Sequence, residues 1–166
     1  MKNILYLFLV LTSFEISAQT TAEEYISSGA SKFYLGDMKG ATVDYTKAIK
    51  IDSNFVEAYR KRGLAKEGLK DFSGAIVDYT KAIEIDSNYA PAYRDRGITK
   101  GKLKDFSGSI SDYTKAIEID PNYATAYFNR GVCKFYLGDM IGACNDASKA
   151  QELGDDASIL IKKACN

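Results

Sequence analysis

Residues 70–89, KDFSGAIVDYTKAIEIDSNY, return as residues 104–123, KDFSGSISDYTKAIEIDPNY, after a shift of 34. Working outward, the same shift links Tyr25, Tyr59, Tyr93 and Tyr127. It also links Gly29, Gly63, Gly97 and Gly131, and then Asp37, Asp71, Asp105 and Asp139. A fixed period of this length marks a stack of like supersecondary units, each burying its apolar face against its neighbours.

Within one unit the spacing is helical. Tyr93, Arg96, Gly97, Lys100 and Leu103 follow i, i+3/i+4 steps, and Ile110, Tyr113, Ala116 and Ile117 form a second stripe. Asp105 lies between them and suits an N-cap, because its carboxylate accepts the free N–H groups of the following first turn. Asp120-Pro121-Asn122 ends the second helix; Pro cannot continue it, and Asn122 is the expected cap of the next. Each unit therefore reads as helix–turn–helix, with two helices of about twelve to fourteen residues.

The small residues carry a packing expectation. Glycine inside a helix costs about 1 kcal/mol relative to alanine. Its recurrence at Gly97 and the equivalent positions predicts a crossing too close for a Cβ. Ala41, Ala75, Ser109 and Ala143 are small where the paired helix would cross, and Tyr45, Tyr79 and Tyr113 are the large plugs. Asp44, Asp78 and Asp112 recur as well and are expected on a solvated face.

On these residues the chain resembles the tetratricopeptide repeat family, whose pattern is W-x2-L-G-x2-Y…A-x3-F…P. The best copy here runs Tyr93-x2-Arg96-Gly97-x2-Lys100…Ser109-x3-Tyr113…Pro121. The resemblance implies an all-α fold, a right-handed α-solenoid of about four helix-turn-helix units. The units would span 22–55, 56–89, 90–123 and a degenerate 124–157, with a capping helix over 156–165. Tyr replaces the family's Trp, Arg often replaces Leu, and Lys32, Lys66, Lys100 and Lys134 replace the second Tyr. In the fourth copy Ala147 stands where Tyr is expected and Asp155 where Pro is. Ala157, Leu160, Ile161 and Ala164 then give one last apolar stripe with Lys162 and Lys163 opposite.

Residues 1–18 stand outside the period. Lys2, the apolar run Ile4 to Phe14 and Ile16-Ser17-Ala18 before Gln19 have the anatomy of a secretory signal peptide. The run is too short for a membrane span, which needs about twenty apolar residues. The mature chain is expected to start near Gln19, to be exported to the periplasm or secreted, and not to span the membrane.

Lys plus Arg equals Asp plus Glu at 22 each, so the formal net charge is zero. That speaks against a nucleic-acid partner, which a basic surface would attract. The absence of His removes the usual general base and the commonest metal ligand. No zinc-protease, phosphate-loop, nucleophile-elbow or S-x-x-K motif is present. Neither an enzyme, a cofactor nor a metal is expected.

Cys133, Cys144 and Cys165 all fall in the last unit and cap. Export permits a disulfide. Register around the 138–141 turn sets Cys133 opposite Cys144, and register around the 153–156 turn sets Cys144 opposite Cys165. Both pairings stay open, as do three unpaired thiols buried as small apolar residues.

The resemblance implies a protein or peptide ligand held against each unit's first helix. The alternative is a self-associating structural element of the cell envelope, which would make the chain a homo-oligomer. The family's groove offsets select Ile26, Ala30, Phe33 and Tyr34, then Arg60, Leu64 and Glu67. They further select Arg94, Ile98 and Lys102, and then Phe128, Val132, Phe135 and Tyr136. The two ends share KFYLGDM and present aromatics, while the middle presents Arg60 and Arg94. Their guanidinium forks suit carboxylates or carbonyls of an extended ligand, unless Glu57 or Asp95 already engages them. The family's clamp for a C-terminal carboxylate uses Lys, Asn and Arg; the matching places here hold Ile26, Ala30, Lys61, Pro91 and Asp95. Binding of chaperone tails is therefore not expected.

Overall fold

Aspartate carboxylates start the second helix in three of the pairs. Asp37 Oδ1 accepts from Gly40 N at 2.8 Å, Asp105 Oδ1 from Gly108 N at 2.9 Å and Asp139 Oδ1 from Gly142 N at 2.8 Å. Each bond satisfies an N–H that a helix N-terminus leaves without an intrahelical acceptor. The computed structural model describes residues 21–165, so the expected signal segment lies outside the described residues. The described residues fall into two units, which meet in sequence at Asp71 and Phe72.

The first unit holds helix α1 over residues 21–34, α2 at Met38–Ile51 and α3 at Val56–Gly68. The second holds α4 at Phe72–Ile85, α5 at Ala90–Lys102 and α6 at Phe106–Ile119. It continues with α7 at Ala124–Tyr136, α8 at Met140–Glu152 and the short α9 at Ser158–Ala164. There is no strand among the described residues. Within each unit, helices adjacent in sequence pack on one another. The all-helical, helix-turn-helix fold expected from the period is what the chain adopts.

The expected capping role of Asn122 is not observed. The residues that precede α3, α5 and α7 are Phe55, Tyr89 and Tyr123, and none makes a side-chain cap bond. The aspartate two residues before each asparagine acts instead. Asp52, Asp86 and Asp120 accept the backbone N–H of Asn54, Asn88 and Asn122 at 2.9, 2.9 and 3.0 Å. Such a side-chain turn competes successfully because it closes locally, before the helix begins.

The turns inside the pairs end in a left-handed residue. It is glycine at Gly36 and Gly138, with φ 83° at both, but lysine at Lys70 and Lys104, with φ 65° and 64°. The next residue's N–H reaches back to close the turn, as Asp105 N does to Lys100 O at 2.9 Å. A Cβ in this region costs about 1–2 kcal/mol, partly offset by the looser unfolded chain that glycine brings. Lys104→Gly is therefore expected to raise stability by about 0.5–1 kcal/mol and Gly138→Ala to lower it by about 1 kcal/mol. Urea denaturation of the two variants checks both signs.

The cores are small-residue cores with a few rings. Ala41, Ala75, Ser109 and Ala143 are all fully buried, and Tyr45, Tyr79 and Tyr113 are at most 3 % exposed. In the first unit Ala41, Tyr45 and Ala65 pack with Ile26 and Phe33. In the second, Tyr113, Ala116, Ile117, Ala126 and Cys133 form one cluster, and Ala147, Ala150, Ala157 and Leu160 another. The glycine positions meet the tyrosines. A Cβ on Gly29 would lie 2.6 Å from the Tyr45 ring, and one on Gly97 would lie 2.9 Å from that of Tyr113. Gly131 faces Ala143 O, Asp146 and Leu160 instead, each at 3.2 Å, in the copy where Ala147 replaces the tyrosine.

Candidate functional site

Asp44, Asp78 and Asp112 do not form a solvated face. They are 2 %, 1 % and 3 % exposed, and Asp146 joins them at 4 %. A buried carboxylate needs compensating donors, and the repeat supplies them from positions where the family pattern has apolar residues. Arg96 grips Asp112 with two bonds, Nε to Oδ2 at 3.0 Å and Nη2 to Oδ1 at 2.7 Å. Lys100 Nζ adds a contact to Asp112 Oδ2 at 2.8 Å. Arg130 and Lys134 hold Asp146 in the same way, at 2.7 and 2.8 Å.

The arginines reach in a second direction. Nη1 of Arg62, Arg96 and Arg130 donates to Oγ1 of Thr46, Thr80 and Thr114 at 3.2, 3.0 and 3.1 Å. Each guanidinium also lies over a tyrosine ring, that of Tyr59, Tyr93 or Tyr127, at 5.4–5.7 Å. The first copy has Ser28 where these arginines stand. There Ser28 Oγ and Lys32 Nζ both donate to Asp44 Oδ2 at 2.6 Å. Burial pushes the Asp44 carboxyl up, but the Lys32 and Ser28 bonds outweigh it and hold the group below its usual 3.8. Its stabilising contribution is thus present above that value and is lost as pH falls below it. Bonding to Asp146 likewise raises the Arg130 guanidinium above its usual value, against the opposing effect of burial.

A cleft opens on first-helix residues in each unit. In the first unit Ala30, Phe33 and Tyr34 of α1, Tyr45 of α2, and Arg60, Lys61 and Leu64 of α3 line a cleft of about 180 Å³. Phe33 and Tyr34 meet edge to face with centroids 6.3 Å apart, and Tyr34 is 88 % exposed. Burial, then the neighbouring Tyr34, Glu57 and Asp44, push the Tyr45 phenol up to about 12, so the cleft floor stays neutral. Lys61 pairs with Glu57 at 3.2 Å.

In the second unit Phe128, Val132, Phe135 and Tyr136 of α7 line a cleft of about 240 Å³. Its other wall is Asp156 with Ile159, Leu160 and Lys163 of α9. The Phe135–Tyr136 pair again meets edge to face, at 6.2 Å. Tyr136 also stacks on Phe106, with centroids 5.0 Å apart and planes 6° from parallel.

Other selected residues make different contacts. Arg94 binds Asp95 Oδ1 through Nε and Nη2 at 2.8 and 2.6 Å and lies 5.8 Å from the Tyr123 ring centre. It holds a buried acid, which is the plainer of its two expected roles. Ile98 packs on the Tyr113 cluster, and Lys102 sits over the Phe72 ring at 5.9 Å. Glu67 is half-buried at the end of α3.

Sequence reasoning missed the part played by Lys61, Asp156, Ile159 and Lys163 in the clefts. It also missed the ladder of buried ions, although its signal was present: Arg, Lys and Asp recur together, the Arg and Lys four apart and the Asp sixteen beyond the Arg. Among the cysteines, Cys144 and Cys165 are joined, with Cα atoms 5.1 Å apart, and Cys133 is a buried thiol that burial pushes up.

Among the described residues no helix is long and apolar enough to cross a membrane. Comparison with curated proteins finds no match. One tetratricopeptide repeat family model matches residues 29–70 and 101–138, and a second matches 56–89. A crystal structure of MamA protein is 26% identical with a TM-score of 0.79, over 87% of this chain and 80% of that one. The first repeat domain of Spaghetti (RPAP3), bound to the HSP90 peptide SRMEEVD, is 25% identical with a TM-score of 0.70. That match covers 72% of this chain and 95% of that one. The repeat domain of OM64 from Arabidopsis is also 25% identical, with a TM-score of 0.69 over 72% of this chain and 98% of that one. Helical pairs of this kind characterise protein-interaction scaffolds, and this chain is built of tetratricopeptide repeats.

Proposed function

We propose that the chain is an exported, non-enzymatic scaffold that holds an extended peptide against its first-helix faces. The observation that carries the proposal is the first-unit cleft. It sets two cationic side chains, Arg60 and Lys61, beside an apolar wall of Phe33, Tyr34 and Leu64 on a buried floor. A peptide with a carboxylate next to a bulky apolar side chain fits both halves, the guanidinium fork taking the carboxylate and the rings the apolar group. The peptide SRMEEVD bound by the Spaghetti (RPAP3) domain combines acidic and apolar residues. The clamp positions of that family differ here, so the ligand class is acidic and apolar rather than a chaperone tail.

Export rests on residues 1–18 and on the cystine in the last helices, which persists in oxidising compartments. Amino-terminal sequencing of the protein from its native host is expected to begin at or near Gln19; an intact Met1 in the soluble fraction would defeat this. For binding, peptides are selected from a displayed library on the full mature chain, and their affinities are measured by calorimetry. Tyr34→Ala and Arg60→Ala are each expected to weaken binding by about 1–2 kcal/mol with folding intact. Unchanged affinity in both would place the ligand elsewhere and sink the assignment of this cleft.

A further inference from the structure

Helix α9 has seven residues, and Leu160 is the one among them that is buried. A helix so short is not stable alone, since isolated helices below about 12–15 residues are marginal in water. Ala157, Leu160, Ile161 and Ala164 rest on Ala147 and Ala150 of α8 and on α7 side chains that include Phe128, Val132 and Phe135. The approach to α9 is a turn through Gly154 at φ 93°, where Gln151 Oε1 accepts from Ala157 N at 3.2 Å. α9 is also held covalently: Cys165, its C-terminal cap, is bonded to Cys144 in α8. Cys165 is an exposed residue, so this end of α9 faces solvent.

From this arrangement we propose that the Cys144–Cys165 disulfide is a redox latch. Closed, it keeps α9 over the apolar surface of α7 and α8; reduced, it frees α9 and opens that surface to solvent. The chemistry is thiol–disulfide exchange with a dithiol reductant. One thiolate of the reductant attacks a cystine sulfur, the S–S bond breaks, and a mixed disulfide forms. The second thiol displaces the remaining protein sulfur. Cys144 and Cys165 end as two protonated thiols and the reductant leaves as its own disulfide. Cys133 is buried and takes no part. The pair α7–α8 keeps its own Arg130–Asp146 bridge, so the opening stays local.

The test is hydrogen exchange read by mass spectrometry on the full mature chain, oxidised and after dithiol reduction. Exchange over residues 158–164 is expected to quicken by at least about tenfold, while α7 and α8 keep their protection. Fluorescence of a hydrophobic dye should rise in parallel. The Cys144→Ala/Cys165→Ala variant should behave as the reduced protein without any reductant, and Cys133→Ala as the wild type. Unchanged exchange in α9 on reduction would overturn the latch. So would loss of protection in α7 and α8 together with α9, because the bond would then hold the whole unit.

Discussion

Asp112→Ala is expected to lower stability by about 3 kcal/mol, one of the two largest effects of any single change proposed for this chain. The variant removes the acceptor of both Arg96 bonds and of the Lys100 contact. The Arg96 side chain is 16 % exposed, so its charge would remain largely desolvated, left with Thr80 Oγ1 at 3.0 Å and the face of the Tyr93 ring at 5.7 Å. Breaking a buried pair on one side costs about 3–5 kcal/mol, and the partial exposure of Arg96 and Lys100 brings the figure to the lower end. Urea denaturation measures it. A double-mutant cycle with Arg96→Met separates the pair's coupling from the penalty of leaving one ion alone. A loss below about 0.5 kcal/mol for Asp112→Ala would mean that the ladder is a surface feature.

Gly97→Leu is the second large effect. A Cβ at Gly97 would lie 2.9, 3.1 and 3.2 Å from three atoms of the Tyr113 ring, and that ring is 3 % exposed. Moving it disturbs the cluster of Ala116, Ile117, Ala126 and Cys133. Overpacking of this kind costs about 1–3 kcal/mol, and the further atoms of leucine set the expectation at the upper end. Gly97→Ala is the finer probe. Helix propensity alone would raise stability by about 1 kcal/mol, whereas a net loss is expected from the contact with Tyr113. Thermal and urea unfolding of both variants decide it; a raised melting temperature for the two would show that the ring yields freely.

The helix pairs, their length and their order were legible in the sequence because a 34-residue period repeats both the apolar stripes and the capping aspartates. Those signals are local. A carboxylate three residues before a glycine N–H finds it whatever the rest of the chain does, as Asp37, Asp105 and Asp139 show. The close approach at Gly29 and Gly97 was legible too, since a repeated glycine inside a helix has few other causes. What could not be read locally was the fate of the charges. Arg96, Lys100 and Asp112 look like surface residues one at a time, and only the pairing of two helices brings them together and out of water. The same holds for the candidate clefts. Of the residues the offsets select, Phe33, Tyr34, Arg60 and Leu64 line one cleft. The offsets did not show that the Arg94 fork would bind the buried Asp95. Periodicity fixes which way a helical residue points, because the backbone repeats every 3.6 residues. It leaves open what that residue meets there, because partners distant in sequence are supplied by packing alone. Tertiary structure therefore decided which cations are structural, which remain at a cleft, and which cysteines are joined.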